Sequence, residues 1–211
     1  MAERDDAKDE AKKAGEEAEP KKPKPEPKET SSVTKHSIEV GGRTLAYTAT
    51  AGTTSLRDDE GDARASIFTI SYVLDGVADA TRRPITFCFN GGPGSSSVWL
   101  HLGGLGPKRA AFDDPQHPPP PPYRLEASPE TLLPHTDLVF IDPVGTGYSV
   151  PCGKAKLEDF ATVEKDVASV GELVRMLVTR MKRWNSPKVL VGESYGGTRV
   201  GALTPHLQDR G

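Results

Sequence analysis

The sequence is poor in the features that mark membrane-spanning, nucleic-acid-binding and disulfide-rich proteins. Aromatic residues make up 6% of the 211 residues, and the chain contains two cysteines. No stretch reaches the ~18 consecutive apolar residues of a membrane span, so we expect a soluble protein with no membrane partner. The 27 basic and 30 acidic residues give a formal net charge of −3. Because that balance does not attract a phosphate backbone, we also expect no nucleic-acid partner.

Charge is concentrated at the N-terminus. The first 30 residues hold ten acidic and eight basic side chains and no Leu, Ile, Val or aromatic residue. Such a segment cannot bury enough apolar surface to offset its chain entropy, so we predict a disordered, charged, proline-rich tail over residues 1–33. It lacks the apolar core of a secretory signal, which predicts a cytoplasmic location unless the start codon is misassigned. Cys88 and Cys152 fit that compartment, with one thiol buried in a strand and one in a loop.

A β-rich pattern begins near residue 34. Residues 37–40 and 44–47 flank Gly41-Gly42 and predict a hairpin. Residues 66–73 are rich in β-branched and aromatic side chains and predict a third strand. We therefore expect an antiparallel β lead-in at the start of the domain.

Strands and helices alternate in the rest of the chain. An apolar stripe at helical spacing predicts a helix over roughly 159–184, capped by Asp159, and a second helix is predicted over 198–208. Three short apolar segments predict strands buried in a parallel sheet: residues 85–89, 137–141 and 188–191. This order predicts an α/β fold with a mostly parallel sheet. Since the sheet looks unfinished, we interpret residues 34–211 as the N-terminal portion of a larger domain that is incomplete at its C-terminus.

A run of prolines covers residues 118–122. Proline runs preform the helix that SH3-type domains bind, so this run could be a ligand for such a domain. A stiff surface loop between two elements is the interpretation that we favour.

Residues 192–196 match the pattern G-x-S-x-G around Ser194. A buried strand is predicted before this motif and a helix after it, as a nucleophile elbow requires. Such a turn lifts the Ser194 hydroxyl out of the sheet, and it directs the N–H of Tyr195 toward the place where an oxyanion forms.

A second motif, Asn90-Gly91-Gly92-Pro93-Gly94-Ser95-Ser96-Ser97, also follows a predicted strand. Its glycines indicate a backbone that something approaches closely. A phosphate-binding loop is the competing interpretation, but the Lys and the spacing of a Walker A sequence are missing. An oxyanion loop fits better, and together the two motifs favour acyl-transfer chemistry.

Three segments resemble the signature segments of the serine carboxypeptidases, in the same order: residues 90–96, residues 142–149 (DPVGTGYS) and residues 192–197 (GESYGG). The resemblance covers roughly residues 36–211 and suggests the N-terminal part of a bacterial-type member. It implies an α/β-hydrolase fold and the removal of single residues from peptide C-termini, with a peptide as the partner.

The resemblance also implies roles for six residues. These are Ser194 as the nucleophile, Gly92 and Tyr195 as oxyanion-hole N–H donors, and Asn90, Gly91 and Glu193 as the binding site for the substrate's terminal carboxylate. A carboxylate next to Glu193 is repelled unless the two share a proton. We therefore expect peptide binding to weaken as the pH rises above neutrality.

The sequence departs from the family pattern in three ways. Ser95 stands where the motif usually has a cysteine, and Gly104 replaces a glutamate that contacts the terminal carboxylate. The third departure concerns the triad, which runs Ser, Asp, His along the chain in this fold. His206 lies 12 positions after Ser194 on the same predicted helix, too far to take its proton. The four earlier histidines have no motif support: His36, His101, His117 and His135. We therefore expect the triad Asp and His beyond Gly211.

Two alternatives stay open at this stage. The first is an acyltransferase or esterase on the same scaffold. The second is a non-catalytic remnant or interaction protein that uses the charged tail and the proline run. No cluster of His, Cys and Asp has metal-ligand spacing, so we expect neither a metal nor an organic cofactor.

Overall fold

A computed structural model describes residues 28–112, 114 and 120–210. The chain enters a long antiparallel meander of strands β1 (Ser31–Val40), β2 (Arg43–Arg57) and β3 (Ala63–Leu74). This is the predicted lead-in, with the predicted turn at Gly41-Gly42. Most of the predicted tail lies outside the described residues, but its last three residues belong to β1.

Three parallel strands continue the sheet: β4 (Ile85–Phe89), β7 (Asp137–Ile141) and β9 (Lys188–Gly192). The strand order is β1-β2-β3-β7-β4-β9, with β3 antiparallel to β7. A short strand β8 (Val150–Pro151) pairs with β3, and β5 (Lys108–Ala110) with β6 (Leu125–Ala127) forms a separate ribbon. All five residues of β4 and of β7 are buried, as their apolar sequences predict. The same prediction for residues 188–191 is wrong. Among the described residues β9 is the last strand of the sheet, and its Lys188 and Val189 are exposed.

The two predicted helices are present, with different bounds. Helix α2 (Val163–Arg180) begins four residues later than predicted, because Thr162 caps it by accepting a hydrogen bond from the Lys165 amide at 3.3 Å. The predicted cap, Asp159, ends a separate 3-10 turn instead. Lys182 adopts a left-handed φ of 56° just past the end of the helix. Helix α3 (Tyr195–Arg210) begins three residues earlier than predicted, immediately after Ser194.

Each face of the sheet carries its own core. Alternate residues of β7 divide between the two faces, since side chains alternate along a strand. Val139 and Ile141 face a cluster built with α2 and α3, whereas Leu138 and Phe140 face a cluster under the β1–β2 hairpin. A short helix α1 (Val98–Leu100) continues into a π-turn at His101–Leu105 on the hairpin side.

A buried ion cluster joins the ends of the strands opposite the two glycine motifs. Asp137, 1% exposed, accepts a hydrogen bond from Arg83 Nε at 2.8 Å and pairs with Arg183 through its other oxygen. Arg183 also donates to the carbonyl of Arg83 at 2.7 Å. These contacts connect the amino ends of β4 and β7 with the segment between α2 and β9.

The structure also bears on the predictions for the cysteines, the proline run and membrane spans. Cys88 is buried in β4 and Cys152 in the loop after β8, as predicted. Only Pro120–Pro122 of the proline run are described, and they are exposed. Within the described ranges, every helix is too short or too polar to span a lipid bilayer.

Candidate active site

Ser194 lies at a sharp turn between β9 and α3. Its φ of 53° is left-handed, which is unusual for a residue with a side chain and costs about 1–3 kcal/mol. The turn is closed by two hydrogen bonds, from the Gly196 amide to the Glu193 carbonyl at 2.7 Å and from the Gly197 amide to the Ser194 carbonyl at 2.9 Å. Ser194 itself is exposed. This is the strained, solvent-facing geometry that a nucleophile elbow requires.

Close backbone approaches explain the small residues of this turn. A Cβ placed on Gly196 would lie 2.5 Å from the Phe89 carbonyl oxygen, and one on Gly192 would clash with Gly196 itself. The Glu193 amide also donates to the Phe89 carbonyl, at 3.1 Å. The elbow is therefore seated on the carboxyl end of β4, the strand that leads into the second glycine motif.

That second motif touches the elbow directly. A Cβ on Gly91 would lie 2.7 Å from Ser194 Cβ and 2.9 Å from the Tyr195 nitrogen. Gly91 is buried, while Gly92, next in the loop, is exposed with a φ of 113°. The structure thus brings Gly91 against Ser194 and the first residue of α3.

Asn90 and Glu193 form a polar pair beside the nucleophile. Asn90 Nδ2 donates to Glu193 Oε2 at 3.4 Å. Asn90 is 6% exposed and Glu193 is exposed, so the pair joins the buried strand end to the surface. No hydrogen-bond partner for Asn90 Oδ1 is found in the described part of the chain.

Asp142 supports the glycine loop from the neighbouring strand. Its Oδ1 accepts hydrogen bonds from both the amide and the hydroxyl of Ser97, each at 2.7 Å, and its Oδ2 accepts one from the Tyr148 amide at 3.4 Å. Gly147 packs against Asp142 so closely that a Cβ would clash with the carboxylate. The motif at residues 142–149 therefore fixes the far end of the glycine loop.

The described histidines lie in structural surroundings away from the elbow. His36 stacks on Tyr47, with the ring centroids 5.5 Å apart. His101 is buried and hydrogen-bonds to the Tyr72 hydroxyl; burial lowers the pKa of His101 to about 4, which the nearby Asp142 charge offsets only in part. The His206 ring packs against Gly171 of α2, and along α3 it is about 18 Å of helix rise from Ser194. His135 follows β6 and is exposed, and His117 lies outside the described residues.

Two charged residues near the site were missed by sequence reasoning. Arg199 of α3 and Asp166 of α2 are buried and paired at 2.7 Å, and Arg199 also donates to the Asn90 carbonyl at 3.2 Å. Asp166 directly precedes Val167 of the apolar stripe of α2, a placement that could have indicated a buried charge. In the described part of the chain, no three His, Cys, Asp or Glu side chains are grouped to hold a metal ion.

Comparisons with known proteins identify the family of the chain. Residues 70–210 match the family model described as serine carboxypeptidase. The pheromone-processing carboxypeptidase KEX1 of Yarrowia lipolytica is 28% identical over 139 residues, which are 65% of this chain and 21% of that protein. The crystal structure of Kex1(delta)p, a prohormone-processing carboxypeptidase from Saccharomyces cerevisiae, superposes with a TM-score of 0.56 at 24% identity, covering 77% of this chain and 34% of that one.

The chain thus spans about a fifth of the curated relative and about a third of the solved structure. The superposition supports the predicted α/β-hydrolase fold, and Ser194 directly follows the parallel strand β9. The family model covers two thirds of the residues, including all three glycine-containing motifs. The chain belongs to the serine carboxypeptidase family.

Proposed function

We propose that this protein is a serine-type carboxypeptidase, which releases C-terminal residues from peptides through an acyl-enzyme on Ser194. The observation that carries the proposal is the Asn90–Glu193 pair, hydrogen-bonded at 3.4 Å beside an exposed, strained serine. A polar pair there offers a free carboxylate hydrogen-bond partners that a neutral ester does not need. The nucleophile and the group that selects the substrate then lie on adjacent residues.

In the proposed reaction, Ser194 Oγ attacks the carbonyl carbon of the last peptide bond. Negative charge develops on the carbonyl oxygen, and the backbone N–H groups of Gly92 and Tyr195 would stabilise it. The close approach of Gly91 to the Tyr195 nitrogen supports this assignment, because it brings the two donor-bearing segments together. The amine of the last residue then leaves, and water hydrolyses the acyl-enzyme.

The proposal includes an Asp and a His from residues outside the printed sequence. The described histidines support this, since His36, His101 and His206 contact other structural elements. Reading the coding DNA beyond codon 211 tests this part. A frame that continues to an Asp and then a His in fitting contexts supports it, whereas a stop codon directly after Gly211 contradicts it.

The substrate's terminal carboxylate would bind to Asn90, Gly91 and Glu193. Two carboxylates in contact need a shared proton, so Glu193 makes this binding pH-dependent. Gly104 cannot supply the additional carboxyl that the family pattern provides at its position. The proposed carboxylate site therefore has one polar side chain fewer than the family pattern. Its selectivity for a free C-terminal carboxylate depends more heavily on Asn90 and Glu193.

Comparing a blocked dipeptide, benzyloxycarbonyl-Phe-Leu, with its C-terminal amide tests the proposal in the gene product that carries the complete triad. We expect turnover of the free carboxylate, much slower turnover of the amide, and loss of both in Ser194→Ala. Equal rates on the two substrates would favour an esterase or acyltransferase instead. Binding of the dipeptide without any turnover would favour a non-catalytic protein.

A further inference from the structure

Arg199 is a buried residue that contacts both segments of the candidate active site, the glycine loop at Asn90 and the elbow at Tyr195. It lies one helical turn after Tyr195 in α3 and is 4% exposed. Its Nε donates to Asp166 Oδ2 at 2.7 Å, and its Nη1 donates to the Asn90 carbonyl oxygen at 3.2 Å. The guanidinium carbon lies 5.8 Å from the ring centroid of Phe89 and 5.4 Å from that of Tyr195.

A charge buried this deeply is costly unless it is fully paired. The planar guanidinium suits the position, because it can donate in two directions while it stacks on aromatic rings. Asp166 supplies the opposite charge, although burial raises the pKa of Asp166 more than Arg199 lowers it. Replacing such a pair by apolar residues is often neutral for stability. Stability alone therefore does not explain why a charged pair occupies this position.

The peptide unit between Asn90 and Gly91 provides that reason. A trans peptide unit is planar, with its C=O and N–H pointing in opposite directions. Arg199 holds the Asn90 carbonyl toward the protein interior, so the Gly91 N–H points away from Arg199, and Gly91 itself lies against Glu193 and Ser194. The direction of that N–H is set by a side chain that does not itself reach the surface.

We infer that Arg199 is a positioning residue for substrate recognition. It fixes the direction of the Gly91 N–H and the seating of the Tyr195 ring, and so determines how the glycine loop presents donors to a C-terminal carboxylate. The identity of the ligand rests on the proposed function, whereas the role of Arg199 in orienting the Gly91 N–H does not.

The test separates positioning from stability with three variants of the gene product that carries the complete triad, each made together with Ser194→Ala so that the dipeptide is bound without being hydrolysed. Arg199→Met leaves Asp166 buried without its partner, and we expect the melting temperature to fall by about 10 °C. Arg199→Met combined with Asp166→Leu removes both charges and should recover most of that loss. Asp166→Asn, the matched control, removes the charge of Asp166 but keeps a side-chain oxygen that can accept from Arg199 Nε, so we expect the Arg199–Asn90 hydrogen bond to stay in place.

Two quantities are measured by NMR for each variant. The first is the residual dipolar coupling of the Gly91 N–H, which reports the direction of that bond without any ligand. The second is the dissociation constant for benzyloxycarbonyl-Phe-Leu, with its amide as the reference. In the double variant we expect a changed coupling and about tenfold weaker binding, the loss of roughly one charge-assisted hydrogen bond. Asp166→Asn should change neither.

The outcomes separate the two hypotheses. A double variant with wild-type melting temperature, coupling and affinity would overturn the inference. If the wild-type chain does not distinguish the dipeptide from its amide, carboxylate recognition fails, and the coupling alone still decides the role of Arg199. If the double variant does not fold, Arg199→Lys replaces it. This variant keeps the charge but cannot donate to both partners in the same geometry, so an unchanged coupling there overturns the inference as well.

Discussion

Gly91→Ala perturbs a point at which the glycine loop and the elbow at Ser194 touch. The added methyl group would lie 2.7 Å from Ser194 Cβ, 2.7 Å from the Glu193 carbonyl oxygen and 2.9 Å from the Tyr195 nitrogen. Two of these three neighbours are backbone atoms, which cannot rotate away. The loop or the elbow must therefore move.

The size of the effect follows from those distances. Carbon atoms in favourable contact are about 3.5–4.0 Å apart, so the methyl group forces a separation of roughly 1 Å. Overpacking of this kind costs about 1–3 kcal/mol, which corresponds to a fall of roughly 3–9 °C in melting temperature for a chain of this size. A 1 Å displacement at the reacting groups costs on the order of 100-fold in rate. We expect activity to suffer much more than stability.

Gly103→Ala is the matched control. Gly103 lies in the π-turn that follows the same glycine loop, it is exposed, and a Cβ on it would have no neighbour within 4 Å. Its melting temperature should equal or slightly exceed that of the wild type. Thermal unfolding and hydrolysis of the blocked dipeptide are measured for both variants in the gene product that carries the complete triad. If Gly91→Ala and Gly103→Ala cannot be distinguished in either assay, the glycine loop does not touch the elbow as described, and the reasoning fails.

Three further predictions concern the ion cluster, the pH dependence of binding and a buried histidine. Asp137→Asn leaves two buried guanidinium groups without a counter-charge, so the free energy of unfolding in urea should fall by about 3–5 kcal/mol; a change below 1 kcal/mol would contradict this. Dipeptide binding should weaken as the pH rises above neutrality, and Glu193→Gln should flatten that dependence; parallel profiles would exclude the shared proton. Burial lowers the pKa of His101 to about 4, below its ordinary 6.5, so the stability from its neutral form is complete above pH 6.5 and disappears as the pH falls through 4. Over that range the wild type should lose about 3 kcal/mol more than His101→Gln, and an equal loss in the two proteins would rule out this contribution.

Local patterns were enough to predict most of the fold. The hairpin at Gly41-Gly42, the buried strands β4 and β7 and the turn at Ser194 each depend on residues close together in the sequence, and all are present. The exposure of β9 was not predicted, because it depends on which strands neighbour β9 in the sheet. Helix ends were less predictable. Asp159 and Thr162 are both good caps, but the Asp159 carboxylate accepts a hydrogen bond from the Lys156 amide at 2.9 Å within its own 3-10 turn, and Thr162 caps α2.

The support beneath the site could not be read from the sequence. Arg199 is 33 positions from Asp166 and 109 from Asn90, and no local period relates the three. Asp142 was visible within its motif, but its hydrogen bonds to Ser97 depend on the pairing of β4 with β7. Contacts of this kind form only after the sheet has brought the strand ends together.

The carboxyl end of β4 contacts both segments of the candidate active site. The Phe89 carbonyl accepts the Glu193 amide and limits the approach of Gly196, while the Asn90 carbonyl is held by Arg199. A left-handed serine persists only where its surroundings over-determine it. The carbonyls of Phe89 and Asn90 therefore have two roles: they contact the elbow, and they lead into the glycine loop. The contacts that hold Ser194 in its left-handed conformation also fix the start of that loop. Changes at Arg199 should therefore disturb carboxylate binding and the elbow together, whereas changes at the Asp137 cluster, at the other end of the strand, should alter stability and leave the site geometry intact.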